Sequence, residues 1–340
     1  MWIEEYERLL TSPDHPFQAA VDLKRQHFPD LLFKYRAVNG HNLDALRRGY
    51  VWLAPASSLN DLYDCATTLA FDAGFEDMFR AQVRTYLAKQ PLPRQLTEAQ
   101  IQEIVESESP TTKTMDLMSG GEGGMSPELK AAFQRAIVSV LRAREGPINA
   151  AVTALSRSHL KVCSFSADGT ASLLWSHYAD SNRGYSVAYA PASLPDDDIR
   201  ARLLCPVFYK DKVFDGSECL TAAARRGPNP LSVRWPIISA SVKHRSWEYE
   251  REWRLVNPDG EPPSGQAVPM PPPHSIYLGA SMASPDADEI LRLAAHTRTP
   301  VFRMATGPDS GRLVAVAVLN AGAAAEQAVA ADAVAAEKLE

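Results

Sequence analysis

Trp247-Glu248-Tyr249-Glu250-Arg251-Glu252-Trp253-Arg254-Leu255-Val256 is the stretch on which the reading of this chain turns. Its second half alternates charged and apolar residues, the period-two signature of a strand with two unlike faces. Read as a strand over 250–256, it turns Arg251, Trp253 and Leu255 to one face and Glu250, Glu252, Arg254 and Val256 to the other. The face with Trp253 and Leu255 reads as core. The opposite face gathers two carboxylates and a guanidinium, close enough to pull the acids' pKa values apart or to stabilise a developing cation. The same spacing also suits a salt-bridge ladder on a solvated face.

Short apolar runs on either side extend this strand into a sheet. Leu31–Arg36, Tyr50–Leu53, Leu160–Phe165, Gly184–Tyr189 and Leu203–Tyr209 precede it, and Ser275–Gly279, Val301–Met304 and Leu313–Leu319 follow. In the fourth of these, Tyr185, Val187 and Tyr189 alternate as a half-buried strand does. Leu43, Leu46 and Arg47 lie on a short helix that Gly49 closes as a C-cap. A second helix spans Pro285–Thr297, with Ser284 as its N-cap. Residues 72–158 read as a helical block, beginning with Phe75–Lys89 and then Thr97–Glu108 behind a Thr97 cap. Past Ser119-Gly120-Gly121-Glu122-Gly123-Gly124, a helix starts at Pro127, and its residues from Leu129 to Leu141 repeat apolar positions on one face. The predicted architecture is α+β, a mixed, mainly antiparallel sheet core with an inserted helical subdomain. Residues 1–30 supply N-terminal helices, 31–320 a single α+β domain carrying the insertion 72–158, and 321–340 an Ala-rich tail.

With 340 residues, 45% of them hydrophobic, the chain is long enough for a substantial core. Its net charge of -6 gives no overall attraction for nucleic acid, which disfavours that partner. No run approaches the ~18 apolar residues of a membrane helix, and Met1-Trp2-Ile3-Glu4-Glu5 lacks the basic start of a secretory signal. A cytoplasmic protein without a membrane partner is expected. Cys65, Cys163, Cys205 and Cys219 form no Cys-x-x-Cys pair, so buried reduced thiols are expected rather than a thiolate zinc site. The histidines have no ligand spacing, and no metal is expected.

Two further constellations could carry chemistry. Leu173-Leu174-Trp175-Ser176-His177-Tyr178-Ala179 places His177 among aromatic residues just before a strand, where a histidine can serve acid–base or phosphate-contact work. The same segment could be a packed turn with Trp175 and Tyr178 as core. No Gly-x-Ser-x-Gly elbow surrounds Ser176. Phe33-Lys34-Tyr35-Arg36 could present a cation and a ring to an anionic ligand. Asn60-Asp61, with Asp64, reads as an Asx turn or as the polar edge of a site.

Taken in order, these segments resemble the bacterial domain-of-unknown-function family 2971. The matching positions are Lys34-Tyr35-Arg36, Asn60-Asp61, Cys163-Ser164-Phe165-Ser166, Leu174 to Ala179, Gly184, Lys243, Trp247 to Arg254 and Ile276-Tyr277-Leu278-Gly279. Leu62 stands where the family commonly has Pro, and Cys163-Ser164-Phe165 departs from its Cys-Phe by one residue. That family carries no established activity. The order of motifs is more distantly similar to ADP-ribosyltransferases, and this second resemblance implies NAD as substrate. It assigns Glu252 to stabilising an oxocarbenium-like ribosyl centre and Glu250 to activating the acceptor. Arg36, with Lys34 or His177, would hold phosphates; Tyr178 or Trp175 would stack on nicotinamide; Arg254 would join the cofactor-binding set.

Three readings follow. One is an NAD-consuming, ADP-ribosyltransferase-like enzyme of a toxin or phage-defence type, binding a small-molecule nucleotide. Another is a non-enzymatic ligand- or partner-binding module in defence or regulation, with 72–158 as a protein-partner surface. The third is a hydrolase or nuclease using His177 with Glu250 and Glu252. The enzyme readings require Arg36, His177 and Glu252 to share one cleft.

Overall fold

The computed structural model describes residues 2–12, 16–69, 76, 79–80, 83–84, 96–118, 126–217, 234–258, 264–307 and 312–318. The Ser119–Gly124 break, most of Phe75–Lys89, Cys219 and the Ala-rich tail lie outside them, as do most side chains of the apolar face expected after Pro127.

The strands are β1 (Leu32–Arg36), β2 (Tyr50–Pro55), β3 (Thr67–Thr68), β4 (Lys161–Ser166), β5 (Tyr185–Tyr189), β6 (Leu204–Pro206) and β7 (Phe208–Lys210). They continue with β8 (Phe214–Asp215), β9 (Val242–His244), β10 (Glu252–Asn257), β11 (Gln266–Pro269), β12 (Ser275–Leu278), β13 (Val301–Thr306) and β14 (Leu313–Ala317). The main sheet runs β11-β2-β4-β1-β5-β12-β13-β14, and β10 adds to β4 with β6 beyond it. Its pairings are antiparallel except β12 with β13, which the helix Ser284–Thr297 joins by a crossover. Two parallel pairs, β3 with β8 and β7 with β9, stand beside it. The fold is α+β, as the pattern of runs predicts.

β4 organises the site. β10 pairs with its whole length, from Glu252↔Ser166 to Asn257↔Lys161. On its other edge β2 meets only Val162 and Lys161, and β1 meets only Ser166. The two neighbours therefore splay apart. In the gap, Lys34 Nζ donates to the Ser164 carbonyl at 2.9 Å.

One sheet face carries Leu32, Phe165, Tyr185, Val187, Trp253 and Leu255 into the main core. The Ser284–Thr297 helix is part of that core through Ala287, Ile290 and Ala294. The other face packs Tyr35 with Leu174 and Trp175, and Val162 and Val256 with Cys65. The expected N-terminal helices are Trp2–Thr11 and Phe17–Arg25, and they bury Tyr6, Leu10 and Ala20 against Phe208, Ile237 and Ile238.

Between β3 and β4 lie the helices Glu98–Glu106, Pro110–Met118 and Pro127–His159, the expected insertion. Thr97 caps the first in a reciprocal box with Gln100. The long helix completes the edge of β3 with side chains. Asn149 bonds both backbone groups of Leu69, and Thr153 both of Thr67. Its last turns hold the loop before β3, where Arg157 donates to the carbonyls of Leu62 and Ala56. The insertion thus shapes the segment that carries Asn60 and Asp64.

Several local expectations change. The strand predicted over 250–256 begins at Glu252, because Arg245–Glu250 is a 3-10 turn that Arg251 closes with φ 45°. Leu203–Tyr209 splits at Pro206, whose missing N–H suits a strand end; Leu204–Pro206 pairs with β10 and Phe208–Lys210 with β9. β5 is buried at all its positions rather than on alternate ones, because it lies between β1 and β12 with both faces covered. Ser284 is the first helical residue, and Ala283 stands at the N-cap without a side-chain bond. Gly49 closes the Gly40–Arg48 helix as predicted, with φ 67°. Cys65, Cys163 and Cys205 are buried free thiols. Among the described residues no helix is long and apolar enough to cross a membrane.

Candidate functional site

Alternation along β10 sends Trp253 and Leu255 into the main core and leaves Glu252 and Arg254 on the opposite face. That face is not solvated, since Arg254 is 0% exposed. A buried guanidinium is tolerated only with its donors filled. Here Nε donates to Glu252 Oε1 at 2.8 Å, Nη2 to Glu252 Oε2 at 3.0 Å and to Asp64 Oδ1 at 2.9 Å, and Nη1 to the Ala240 carbonyl at 2.9 Å. Lys243, from β9, joins the far side. Its Nζ lies 2.5 Å from Glu250 Oε2, 2.9 Å from Glu252 Oε2 and 3.9 Å from Asp64 Oδ2.

Glu250 reaches this cluster from the 3-10 turn rather than from the strand. Ser166 Oγ pins it by donating to its backbone carbonyl at 2.7 Å, and the Tyr178 hydroxyl donates to its Oε1 at 2.7 Å. Tyr178 sits on the Ser172–Tyr178 helix, one turn after Leu174 and on the same inward face. That helix ends in a left-handed turn, with Asp180, Ser181 and Asn182 at φ 47°, 54° and 66°. Such backbone costs roughly 1–2 kcal/mol per residue. Asn182 N–H to the Trp175 carbonyl at 3.1 Å and Ser281 N–H to the Asn182 carbonyl at 3.0 Å fix the turn.

The cluster holds three carboxylates, Asp64, Glu250 and Glu252, against two cations, Lys243 and Arg254. Ionised throughout, it carries one surplus negative charge. Burial pushes Glu252 upward, but Arg254 and then Lys243 outweigh it and hold the carboxyl at about 2. Glu250 goes the other way, because burial raises it, Lys243 offsets this only in part, and Glu252 adds to the rise. Burial likewise lifts Asp64 against the pull of Arg254 and Lys243. Lys243 is burdened by burial yet raised, chiefly by Glu252. Burial and the Glu250 charge raise Tyr178, so its hydroxyl stays a donor. Of the two raised acids, Asp64 faces a permanent guanidinium, whereas Glu250 faces a titratable amine and a neutral phenol. Glu250 is the group placed to exchange a proton.

A cavity of about 190 Å³ opens beside these side chains. It is lined by the apolar Phe33, Tyr35, Leu174 and Phe165, the last with its ring in the main core, and by Asp64, Lys243, Glu250, Glu252 and Arg254, together with Asn60, Lys34 and Tyr178. Pockets that enclose a whole drug-sized ligand run to ~300–1,000 Å³. This one takes a single ring or head group. A broader groove of about 620 Å³ lies at the start of β10 near Trp2 and His27; of its acids, Glu7 is paired with Lys210 at 2.7 Å and Glu252 with Arg254 at 2.8 Å, while Glu4 and Glu248 also line it.

Of the residues singled out in the sequence, Glu250, Glu252, Arg254, Lys34 and Tyr178 line the cavity. Arg36, His177 and Trp175 do not. Register pairs Arg36 with Tyr185, which puts it on the main-core face, where it donates to Asn42 Oδ1 at 2.7 Å. Trp175 is fully buried, bonded to the Gly169 carbonyl at 2.9 Å and edge-on to Tyr35. His177 points outward from the helix, with its ring exposed beside that of Tyr178. The expectation that Arg36, His177 and Glu252 share one cleft is thus replaced by a different set. Lys243 was assigned no role from sequence, although one signal marks it. It is a lone cation at the end of Ile237-Ile238-Ser239-Ala240-Ser241-Val242, a run buried throughout. The loop reading divides: Asp61 makes the Asx turn to Tyr63 N–H at 2.9 Å, and Asp64 serves the site.

A family model described as "Protein of unknown function (DUF2971)" matches residues 174–255. The chain is similar to that family over the segment that supplies Tyr178, Lys243, Glu250, Glu252 and Arg254; Lys34 and Asp64 come from outside it. No curated protein and no solved structure matches the chain.

Proposed function

We propose that the cavity is the active site of an ADP-ribosyltransferase-like enzyme, which cleaves the N-glycosidic bond of NAD with Glu250 as its acid–base group. One observation carries this reading: Glu250, its pKa raised by burial, is held between Lys243 and the Tyr178 hydroxyl on the wall of an aromatic cavity. Breaking the bond between ribose and nicotinamide turns a pyridinium into a neutral leaving group and leaves positive charge on the ribosyl carbon. The surplus negative charge of the cluster favours that state. Ionised Glu250 takes the proton of the attacking water or acceptor hydroxyl, and nicotinamide and ADP-ribose, free or attached to the acceptor, are the products.

This distribution of roles differs from the one the resemblance implies. Glu252 is committed to Arg254 and Lys243 and serves to fix the cluster, while Glu250 does the proton work. Phe33 and Tyr35, which line the cavity, would pack against the pyridinium ring. Lys34, the most exposed of the charged lining groups, would meet the nearer phosphate; the adenosine half would lie outside, since the cavity is too small for a dinucleotide. NAD consumption of this kind would suit a toxin or phage-defence effector. The nuclease reading has less to draw on, with His177 turned away from the cavity.

Incubating the purified full-length chain with NAD, with and without cell extract, tests the proposal. Release of nicotinamide is expected, reduced by at least ~100-fold in Glu250→Gln, the scale of a lost acid–base group. A folded protein that yields neither nicotinamide nor labelled product overturns it. A second reading, a ligand-binding module without turnover, is favoured by the saturation of Glu252, which suits a rigid receptor. It predicts ligand-dependent protection against unfolding with no product.

A further inference from the structure

We infer that this cavity selects a planar organic cation of the pyridinium class, and that its arrival displaces one proton from the Glu250 carboxyl. The inference rests on the reading that this cavity is the ligand site, not on turnover. It begins from the charges facing Glu250. Lys243 comes from β9, Glu252 and Arg254 from β10, Asp64 from the loop before β3, and the neutral hydroxyls of Tyr178 and Tyr209 from the helix and β7. Tyr249 lies on Glu250's own turn. The buried acids outnumber the buried bases by one. An uncompensated charge in a water-poor cluster is costly, and the group neutralises instead. Without a ligand, the surplus works against the ionised form of Glu250, whose carboxyl is raised by burial and then by Glu252, so it takes up a proton more readily than an ordinary glutamate. A cation in the cavity does the same work as that proton, so the two compete.

The aromatic lining favours the same ligand. Phe33 and Tyr35 line the same cavity as the acids, on the sheet face away from the main core. Aromatic faces attract cations through the ring quadrupole, and a flat ring stacks where a compact ammonium would not. A neutral ring of the same shape gains the stacking but not the charge. Lys34 opposes this selection only weakly. It is the most exposed charged group of the lining, and its ammonium is held by the Ser164 carbonyl at 2.9 Å, within 6.0 Å of the Phe165 ring.

Two probes isolate the inference from catalysis, because neither has a glycosidic bond. 1-Methylnicotinamide carries the charge, and nicotinamide is its neutral counterpart. Calorimetric titration in two buffers of different ionisation enthalpy reads affinity and proton release together. The expected result is at least tenfold tighter binding of the cation above the Glu250 pKa. Below it, cation affinity should fall by up to tenfold per pH unit, with close to one proton released per cation bound. Glu250→Gln should lose the proton release and most of the preference; Lys34→Met should bind the cation more tightly. Tyr178→Phe, which leaves the acid in place, should keep the proton release and move its midpoint upward. Equal affinities, no binding of either probe, or cation binding by the unaltered protein that releases no proton at any pH down to the acid limb each overturn the inference. If NAD is not cleaved but the cation is selected, the proposed reaction fails and this inference stands. NAD cleavage without cation preference gives the reverse.

Discussion

Arg254 forks back onto Glu252, two positions earlier on the same strand, with Nε to Oε1 at 2.8 Å and Nη2 to Oε2 at 3.0 Å, both side chains being buried. The same Nη2 holds Asp64 from a loop almost two hundred residues away in sequence. Arg254→Met therefore strands two carboxylates at once. A loss of about 3–5 kcal/mol is expected, the range for breaking a buried ion pair from one side. Urea denaturation reads it directly. The double variant Arg254→Met with Glu252→Met should recover only part, since Asp64 is left with just its longer contact to Lys243, at 3.9 Å. Full recovery would mean that Asp64 does not depend on Arg254.

The same pair sets an acid limb of stability. Glu252 titrates at about 2 in the folded chain, against about 4.3 for an ordinary glutamate. A depressed carboxyl contributes stability that is fully present above the unfolded value and lost as pH falls through the folded one. The window lies between about pH 4.3 and 2. Glu250 and Asp64 are raised, so they act with the opposite sign, and their contributions fade as pH rises through their folded values. Unfolding midpoints measured across this window should fall toward acid in the unaltered protein and flatten in Glu252→Gln. An unchanged slope in the variant would place the acid sensitivity elsewhere.

Tyr178 donates to Glu250, and that bond lowers the pKa of an otherwise raised acid. Tyr178→Phe should move Glu250 further up, because it removes a hydrogen bond that favours the ionised carboxylate. Carbon-13 shifts of the Glu250 carboxyl give the value without reference to any activity. The acid limb of nicotinamide release should move with it. A downward move would contradict the geometry.

How much of this was legible in the sequence differs from residue to residue. The two faces of 252–256 follow from a period of two, which depends only on backbone geometry, and Trp253 and Arg254 fall on opposite sides as that period requires. Glu250 was assigned to the strand because the alternation continues through it. The break at Arg251 is a left-handed residue without a glycine to announce it. That Glu250 still reaches the cluster is a matter of tertiary packing, fixed by the Ser166 hydroxyl on its carbonyl. Arg36 looked like a ligand group because it is charged and near an aromatic residue, but register alone decides its face. Nothing local sets register for a strand whose neighbours are distant in sequence. His177 shares a helix with Tyr178, and one helical step separates outward from inward.

Gly184 is the hinge between that helix and β5, and it has no room for a side chain. A Cβ there would fall 2.1 Å from the Arg36 carbonyl oxygen and 2.9 Å from the Ala179 carbonyl, backbone on both sides. Neither can yield unless β1 or the turn that sets Tyr178 moves. Gly184→Ala should cost at least about 3 kcal/mol, above the ~1–3 kcal/mol usual for forcing extra volume into a packed region, because there is no flexible side chain to give way. Where the variant still folds, the displaced turn should break the Tyr178–Glu250 bond, so the Glu250 carboxyl should titrate higher, as in Tyr178→Phe. Gly40 is the control. It begins the Gly40–Arg48 helix, and a Cβ there meets nothing within 4 Å. Gly40→Ala should be neutral or more stable by up to ~1 kcal/mol. Matching denaturation curves for the two variants would show that the close approach at Gly184 is not what holds the turn. A large loss at Gly184 with an unshifted Glu250 would separate the stability of the hinge from the position of Tyr178.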